Sequence, residues 1–348
     1  MPQLEGFADL ILATLKDLGP QKWSELAFPL QAYPGFTQLL KEERTTLQSG
    51  YAFQWNLQTS TNGAAVEVPL NATDNVAISD TMAQASDVMR NLTTNWAIDE
   101  RMITANTGPA QIYSMVKKDR AAAWGDLVKL VENRIWDCPL STETNRFRGL
   151  LYYIVKDTAV AAGQFTDDLP VNRAQTSSGF TTIAGIDPAV TTQWRNWAGA
   201  YTTVSKTDLV RKMRSAARNT DFMCPIDVPQ YGEGSDYGIY TNYDVLSVFE
   251  ELLEAQNQNL GNDIASKDGR VMFKRFPVID VPQLDEHTKD PVIGVNWSVM
   301  DFVVLEGEYF REMMDRSGLQ HRTIRHFVDL TMGLRCHDRR RQWILQTT

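Results

Sequence analysis

Apolar residues recur at helical spacing near the start of the chain, at Phe7, Leu10, Ile11 and Leu15, and Gly19-Pro20 ends that run. A proline-bearing stretch holding Phe28, Pro29, Tyr33, Pro34 and Phe36 follows and predicts an extended arm. Rings on an arm with few local partners must be buried elsewhere, in their own domain or against a neighbouring chain. From Tyr51 the period changes to two. Tyr51, Phe53, Trp55 and Leu57 alternate with Ala52, Gln54, Asn56 and Gln58, which predicts a half-buried strand. Residues 59–63 read as a turn and 65–70 as the returning strand. Residues 71–91 are ambiguous, because Met82, Ala85, Met89 and Leu92 fit one helix face and Thr81 with Gln84 fits a capping box. Thr94, Trp96 and Ile98 then alternate with Asn95, Ala97 and Asp99 as a further strand. Residues 45–105 thus read as a long, mostly β excursion.

Gly108-Pro109 opens a helix, proline being suited to its first position. Ile112, Val116, Ala123, Leu127, Leu130, Val131 and Ile135 form one stripe, with Lys117, Lys118, Asp119, Arg120, Lys129 and Glu132 between them. Over residues 109–136 such a helix is roughly 40 Å long and predicts a structural spine. Residues 141–205 are rich in Thr, Ser, Gly and Asn and read as strands and loops. Residues 208–218 predict a helix carrying Leu209, Val210 and Met213, and 221–238 a loop. Residues 243–260 predict a second strong helix with Val245, Leu246, Val248, Phe249, Leu252 and Leu253, closed by Gly261. Strands are expected at 270–279, 292–296 and 302–305. The tail alternates at Ile324, His326 and Val328 and ends in a basic cluster of Arg335, Arg339, Arg340 and Arg341. No internal repeat is visible.

Composition narrows the class. The 348 residues are 43% apolar with nine Trp, fourteen Phe and eleven Tyr, enough for a large core of two or three structural units. The formal charge of -9 argues against a specific binder of duplex nucleic acid, which needs a basic face. It fits a non-binder, or a container whose wall does not hold its contents. Residues 1–15 lack the basic and apolar regions of a secretory signal, and the most apolar run, 150–155, is far too short to span a bilayer, so no membrane association is expected. Cys138, Cys224 and Cys336 are odd in number and far apart, which implies no disulfide framework and a reducing compartment.

Candidate chemistry is sparse. The four histidines and three cysteines lack the paired spacing of a zinc site, and Cys336-His337 would point to opposite faces of a strand. Gly232, Gly234 and Gly238 are loosely spaced among acidic residues and do not form a phosphate loop. No Gly-flanked serine elbow is present. Asp167-Asp168 and Glu250-Glu251 fall in loops or on helix surfaces as solvated carboxylates. No catalytic residue, metal or cofactor is expected. The arginines of the tail suit pairing with carboxylates, of their own or a neighbouring chain, or alternatively contact with packaged nucleic acid. Trp194 and Trp197 suit the core first and an interface second.

The order of these segments resembles the major capsid protein of a tailed bacteriophage, with the HK97-like α+β shell fold, over about residues 45–345. Gly185-Ile-Asp-Pro188 followed by Trp194-Arg-Asn-Trp197, Tyr240-Thr-Asn-Tyr243 before a helix, Phe276-Pro-Val278, Asp290-Pro-Val292, Asn296-Trp297 and Leu334-Arg-Cys336 before the arginines carry the resemblance. It implies an N-terminal arm (1–44), an extended E-loop hairpin with adjoining strands (45–105), a peripheral domain with the spine helix (106–145), an axial domain (146–300), and peripheral return strands (301–348). It further implies self-assembly into hexamers and pentamers enclosing double-stranded DNA, with portal, scaffold or decoration proteins as further partners. The location implied is the virion shell, assembled in the bacterial cytoplasm. A fused scaffolding segment is not expected, since no long charged helical region precedes the arm. Phe28, Tyr33, Phe36, Tyr51, Phe53, Trp55, Arg339, Arg340 and Arg341 are the candidates for contact between subunits. An encapsulin-type compartment shares this fold, and a soluble α+β hydrolase or binding protein is the alternative from another class.

Overall fold

The computed structural model describes residues 33–40, 45–60, 80–105, 115–155, 171–173, 179–220, 237–256, 271–274, 276–287, 289–316 and 322–347, with 65, 67, 69 and 70. In chain order the elements are α1 (Pro34–Leu40), β1 (Thr45–Leu47), β2 (Ala52–Gln58), β3 (Met82–Val88), β4 (Arg90–Asp99), α2 (Glu100–Ala105), α3 (Met115–Ile135), α4 (Leu150–Tyr153), β5 (Val171–Arg173) and β6 (Asn196–Tyr201). They continue with α5 (Leu209–Asn219), β7 (Tyr237–Thr241), α6 (Tyr243–Gln256), β8 (Met272–Phe273), β9 (Phe276–Asp280), β10 (Val292–Asn296), β11 (Met300–Leu305), β12 (Arg311–Arg316), β13 (Thr323–Cys336) and β14 (Trp343–Thr347).

β13 organises the first sheet. At about 3.3 Å per residue, its 14 residues make a strand of about 46 Å. One edge pairs antiparallel with β4, from Thr323 opposite Asp99 to Met332 opposite Arg90. The other edge pairs with β12 along its first half and with β11 along its second. β1 adds parallel to β11. The helix α3 packs on β4, and Ala123, Leu127, Val131 and Ile135 of the stripe read from the sequence are buried. Its 21 described residues span about 31 Å. The first turn predicted for it, with Ile112, lies outside the described residues.

β2 and β3 form a two-stranded antiparallel hairpin, Ala52 opposite Val88 and Gln58 opposite Met82. β2 buries Phe53, Trp55 and Leu57 and exposes the residues between, as its alternation predicts. Its partner differs from expectation. The returning strand is 82–88, and the helix face proposed for Met82 to Leu92 is overturned. Ala85 and Asp87 are buried while Gln84, Ser86 and Val88 face out, a period of two. Two of the helix-face positions, Ala85 and Met89, share a parity that suits a strand equally well. Met82, the first, is exposed.

The second sheet runs β5-β6-β14-β10-β7-β9-β8. β14 lies at its interior, parallel to β6 and antiparallel to β10. Trp343–Thr347, within the segment 301–348 expected as peripheral return strands, is thus a strand of the second sheet and not of the first. The chain leaves the first sheet at Cys336, makes a tight turn at Arg339–Arg341, and enters the second sheet as β14. The ring of Trp343 lies on Gly294 of β10, where a Cβ would sit 2.0 Å from the indole, so this register requires glycine. One face of this sheet, with Tyr240, Ile293, Val295 and Ile344, joins the core of the first sheet. The other face, with Tyr201, Ile239, Val292, Trp343 and Leu345, is covered by Leu209, Met213 and Ala216 of α5 and Val245 and Phe249 of α6.

Candidate assembly surfaces

The described part of the arm is not extended. Tyr33 is half-buried, and α1 follows it and docks on α3 of the same subunit. Leu39 is fully buried, and Phe36 meets Phe310 edge to face at 6.0 Å. Glu132 of α3 pins this helix start. Its Oε1 accepts from the Gly35 amide (3.0 Å) and the Trp136 indole (2.6 Å), and its Oε2 from the Phe36 amide (2.6 Å). The carboxylate is fully buried, and burial raises its pKa against the three donors that lower it. The free amides of a first helical turn thereby find an acceptor. Phe28 lies outside the described residues.

The hairpin candidates separate. Phe53 and Trp55 are each 6% exposed and stack on one another at 5.7 Å. The Phe53 ring covers Gly333 of β13, where a Cβ would come within 2.5 Å of it, and the Trp55 indole donates to the Cys336 carbonyl (3.0 Å). Both therefore belong to the subunit's own core, which corrects the expectation that they reach a neighbour. Tyr51, at the hairpin base, is 53% exposed. That base is bolted to the rest of the subunit. The Ser86 amide donates to the Ala184 carbonyl (3.0 Å), and the Ala184 amide to the Tyr152 hydroxyl (2.8 Å). Arg148 pairs with the buried Asp87 at 2.7 Å and lies over the rings of Tyr152 and Phe180. Burial raises the Asp87 pKa and outweighs the lowering by Arg148. Ala184 adopts a positive φ and Gly185 another, so the Gly185-Ile-Asp-Pro signature is a tight turn that presents this carbonyl.

The arginine cluster also separates. Arg339 is fully buried and donates to the carbonyls of Tyr153 (2.8 Å) and Trp194 (2.7 Å) and to Oδ1 of Asn196 (3.0 Å). It cannot touch a neighbour or a phosphate, and that candidacy is corrected. Arg340 grips Asp338 through two donors at 3.0 Å, and Arg341 approaches the same carboxylate at 3.6 Å. Arg335 pairs with Asp301 at 2.6 Å. Three of the four arginines thus take carboxylates of their own chain, leaving Arg340 half-exposed.

Surfaces with no candidate from the sequence are also present. β12 is exposed along all six residues, including Met314 at 66%. A groove of about 310 Å³ between α5 and α6 has a floor of Val210, Phe249 and Val278. A second cavity of about 290 Å³ lies between the hairpin and the Arg339 turn. Among the described residues, no three His, Cys, Asp or Glu side chains are placed to hold a metal.

No family model matches the chain, and no curated protein matches it in sequence. Solved structures do match in fold. The Cyanophage A-1(L) capsid subunit aligns with a TM-score of 0.62 at 14% identity, covering 95% of this chain and 98% of that one. The capsid of the native GTA particle aligns at 0.56 and 9% identity, covering 95% of both. The capsid of Myoviridae phage XM1 aligns at 0.53 and 10% identity, covering 93% and 95%. The architecture is therefore that of capsid shell proteins, the HK97-like α+β fold. At these identities the likeness is one of fold, carried by topology and core packing across nearly the whole chain.

Proposed function

We propose that this chain is a structural subunit that closes, as hexamers and pentamers, into the icosahedral head shell of a tailed phage around double-stranded DNA. The observation that carries the reading is the end-to-end fold match, which leaves only a few per cent of either the chain or the Cyanophage A-1(L) capsid subunit without a counterpart. An added catalytic domain would break such a match. One further feature supports it. The net charge of -9 suits a wall that encloses DNA without gripping it. Portal, scaffold and decoration proteins are the natural further partners, the virion is the natural location, and the bacterial cytoplasm is the place of assembly.

Electron microscopy of the purified full chain across a concentration series tests the proposal. Closed shells of uniform size are expected, and small particles at every concentration would sink it. Nucleic acid extracted from particles made during infection separates a DNA container from a compartment filled with protein cargo.

A further inference from the structure

The two helices on the outer face of the second sheet carry opposite charge. The buried side of α5 is Leu209, Met213, Ala216 and Ala217, with Lys212 buried beside them and paired to Asp208 at 2.7 Å. Its exposed side is Arg211, Arg214 and Arg218, which at 100° per residue fall within an arc of about 60°. The buried side of α6 includes Val245 and Phe249, and its exposed side carries Asp244, Glu250 and Glu251, within about 120°. None of these six makes an ion pair among the described residues. Elsewhere Arg101, Arg120, Arg148, Arg311, Arg335 and Arg340 each take a carboxylate of their own chain.

We infer that the cationic stripe of α5 in one copy pairs with the anionic stripe of α6 in a second copy, making this helix face the contact between adjacent subunits of a ring. The inference rests on the shell reading above. Three observations favour a second copy as the occupant. The two stripes are opposite in sign, so one molecule supplies both halves of the contact. They lie on the same sheet face, exposed and unpaired. A phosphate backbone drawn to α5 would meet the three carboxylates of α6 beside it, on a chain of net charge -9. A contact of one patch with a different patch of the next copy is head-to-tail, and such contacts close into rings when the rotation permits. Arginine suits the role, since its planar fork matches a carboxylate.

Charge reversal in the full chain tests the pairing. The variants are R211E/R214E/R218E, D244K/E250K/E251K, and all six together. Circular dichroism establishes that each folds, and sedimentation velocity with electron microscopy at 0.1 M salt measures assembly. Each single-helix reversal should raise the concentration needed for assembly about tenfold or more, because like charges then face each other. The six-fold variant should return to near the wild-type value. Equal mixing of the two single-helix variants should recover even-membered rings that neither forms alone, since the two then alternate, which only pairing between copies explains. Should a reversed variant misfold, R211Q/R214Q/R218Q and D244N/E250Q/E251Q pose the same question, each weakening assembly by a smaller factor. Assembly unchanged by reversal, or no recovery on mixing, overturns the pairing while leaving the shell reading intact. Shells that form normally from R211E/R214E/R218E but lose bound nucleic acid also overturn it, and make α5 a phosphate-facing surface. A wild-type chain that stays monomeric overturns both.

Discussion

Arg339 is a guanidinium with no carboxylate against it. It is fully buried, its partners are two carbonyls and an amide oxygen, and the Trp194 ring lies under it at 5.7 Å. Burial lowers its pKa to about 10, so it remains charged at neutral pH. Its donors satisfy carbonyls at the end of α4 and in the turn before β6, so one side chain ties the tail to both. Arg335, four residues earlier, follows the commoner rule. Asp301 accepts from Arg335 at 2.6 Å and contacts His337 at 3.0 Å. Burial raises the Asp301 pKa, but these partners outweigh it and hold the carboxyl below its ordinary value of 3.8. A depressed carboxylate adds stability that is in place above 3.8 and is lost as the pH falls through its lower folded value. Asp301→Asn should therefore cost about 1–3 kcal/mol at pH 7, with the gap to wild type closing below about pH 4. Urea unfolding at several pH values measures this, and a gap constant down to pH 2 would contradict it.

At the scale of elements, the hairpin β2–β3 is a fixed bracket along its described length. Phe53 and Trp55 lie against β13, Asp87 ties β3 to Arg148, and Ser86 ties it to Ala184. Trp55→Ala removes a buried ring and strands the Cys336 carbonyl, so it should destabilise the unassembled subunit by about 3–5 kcal/mol. A wild-type denaturation midpoint with weakened assembly would instead return Trp55 to an interface. Alternation along 51–58 announced a strand with one buried face, and that face is buried. Alternation is silent about which body covers it. The fourteen-residue β13 was visible only in part, as the Ile324, His326 and Val328 alternation. Its second half is buried on both faces and shows no period of two. For 82–92 the apolar spacing suited helix and strand alike, and pairing with β2 decided between them.

At the scale of the whole molecule, β14 stitches the two sheets together. It is the last strand in sequence and an interior strand of the second sheet, flanked by β6 and β10. Trp343, Ile344 and Leu345 are buried, the first and third on one face and the second on the other. Truncation after Gln342 should therefore leave β6 and β10 without a shared neighbour and yield no soluble folded subunit. A truncated chain with a wild-type circular dichroism spectrum and melting temperature would contradict this. The shell proposed here adds a further level, since the helices over this sheet carry the charges assigned to contact between copies.

The sequence by itself determined the elements with a clear period: the apolar stripe of α3, the helices α5 and α6, the alternating strand β2 and the short strands that follow α6. It also determined the order of segments that resembles the capsid fold, because each segment's pattern is local. Tertiary structure alone decided what those patterns face. It placed Trp55 and Arg339 inside and left Arg211, Arg214 and Arg218 outside without partners. It also sent the last strand into the second sheet. The physical reason is that periodicity records how many faces of an element are buried, whereas the covering partner comes from residues up to some 280 positions away, as Trp55 and Cys336 show.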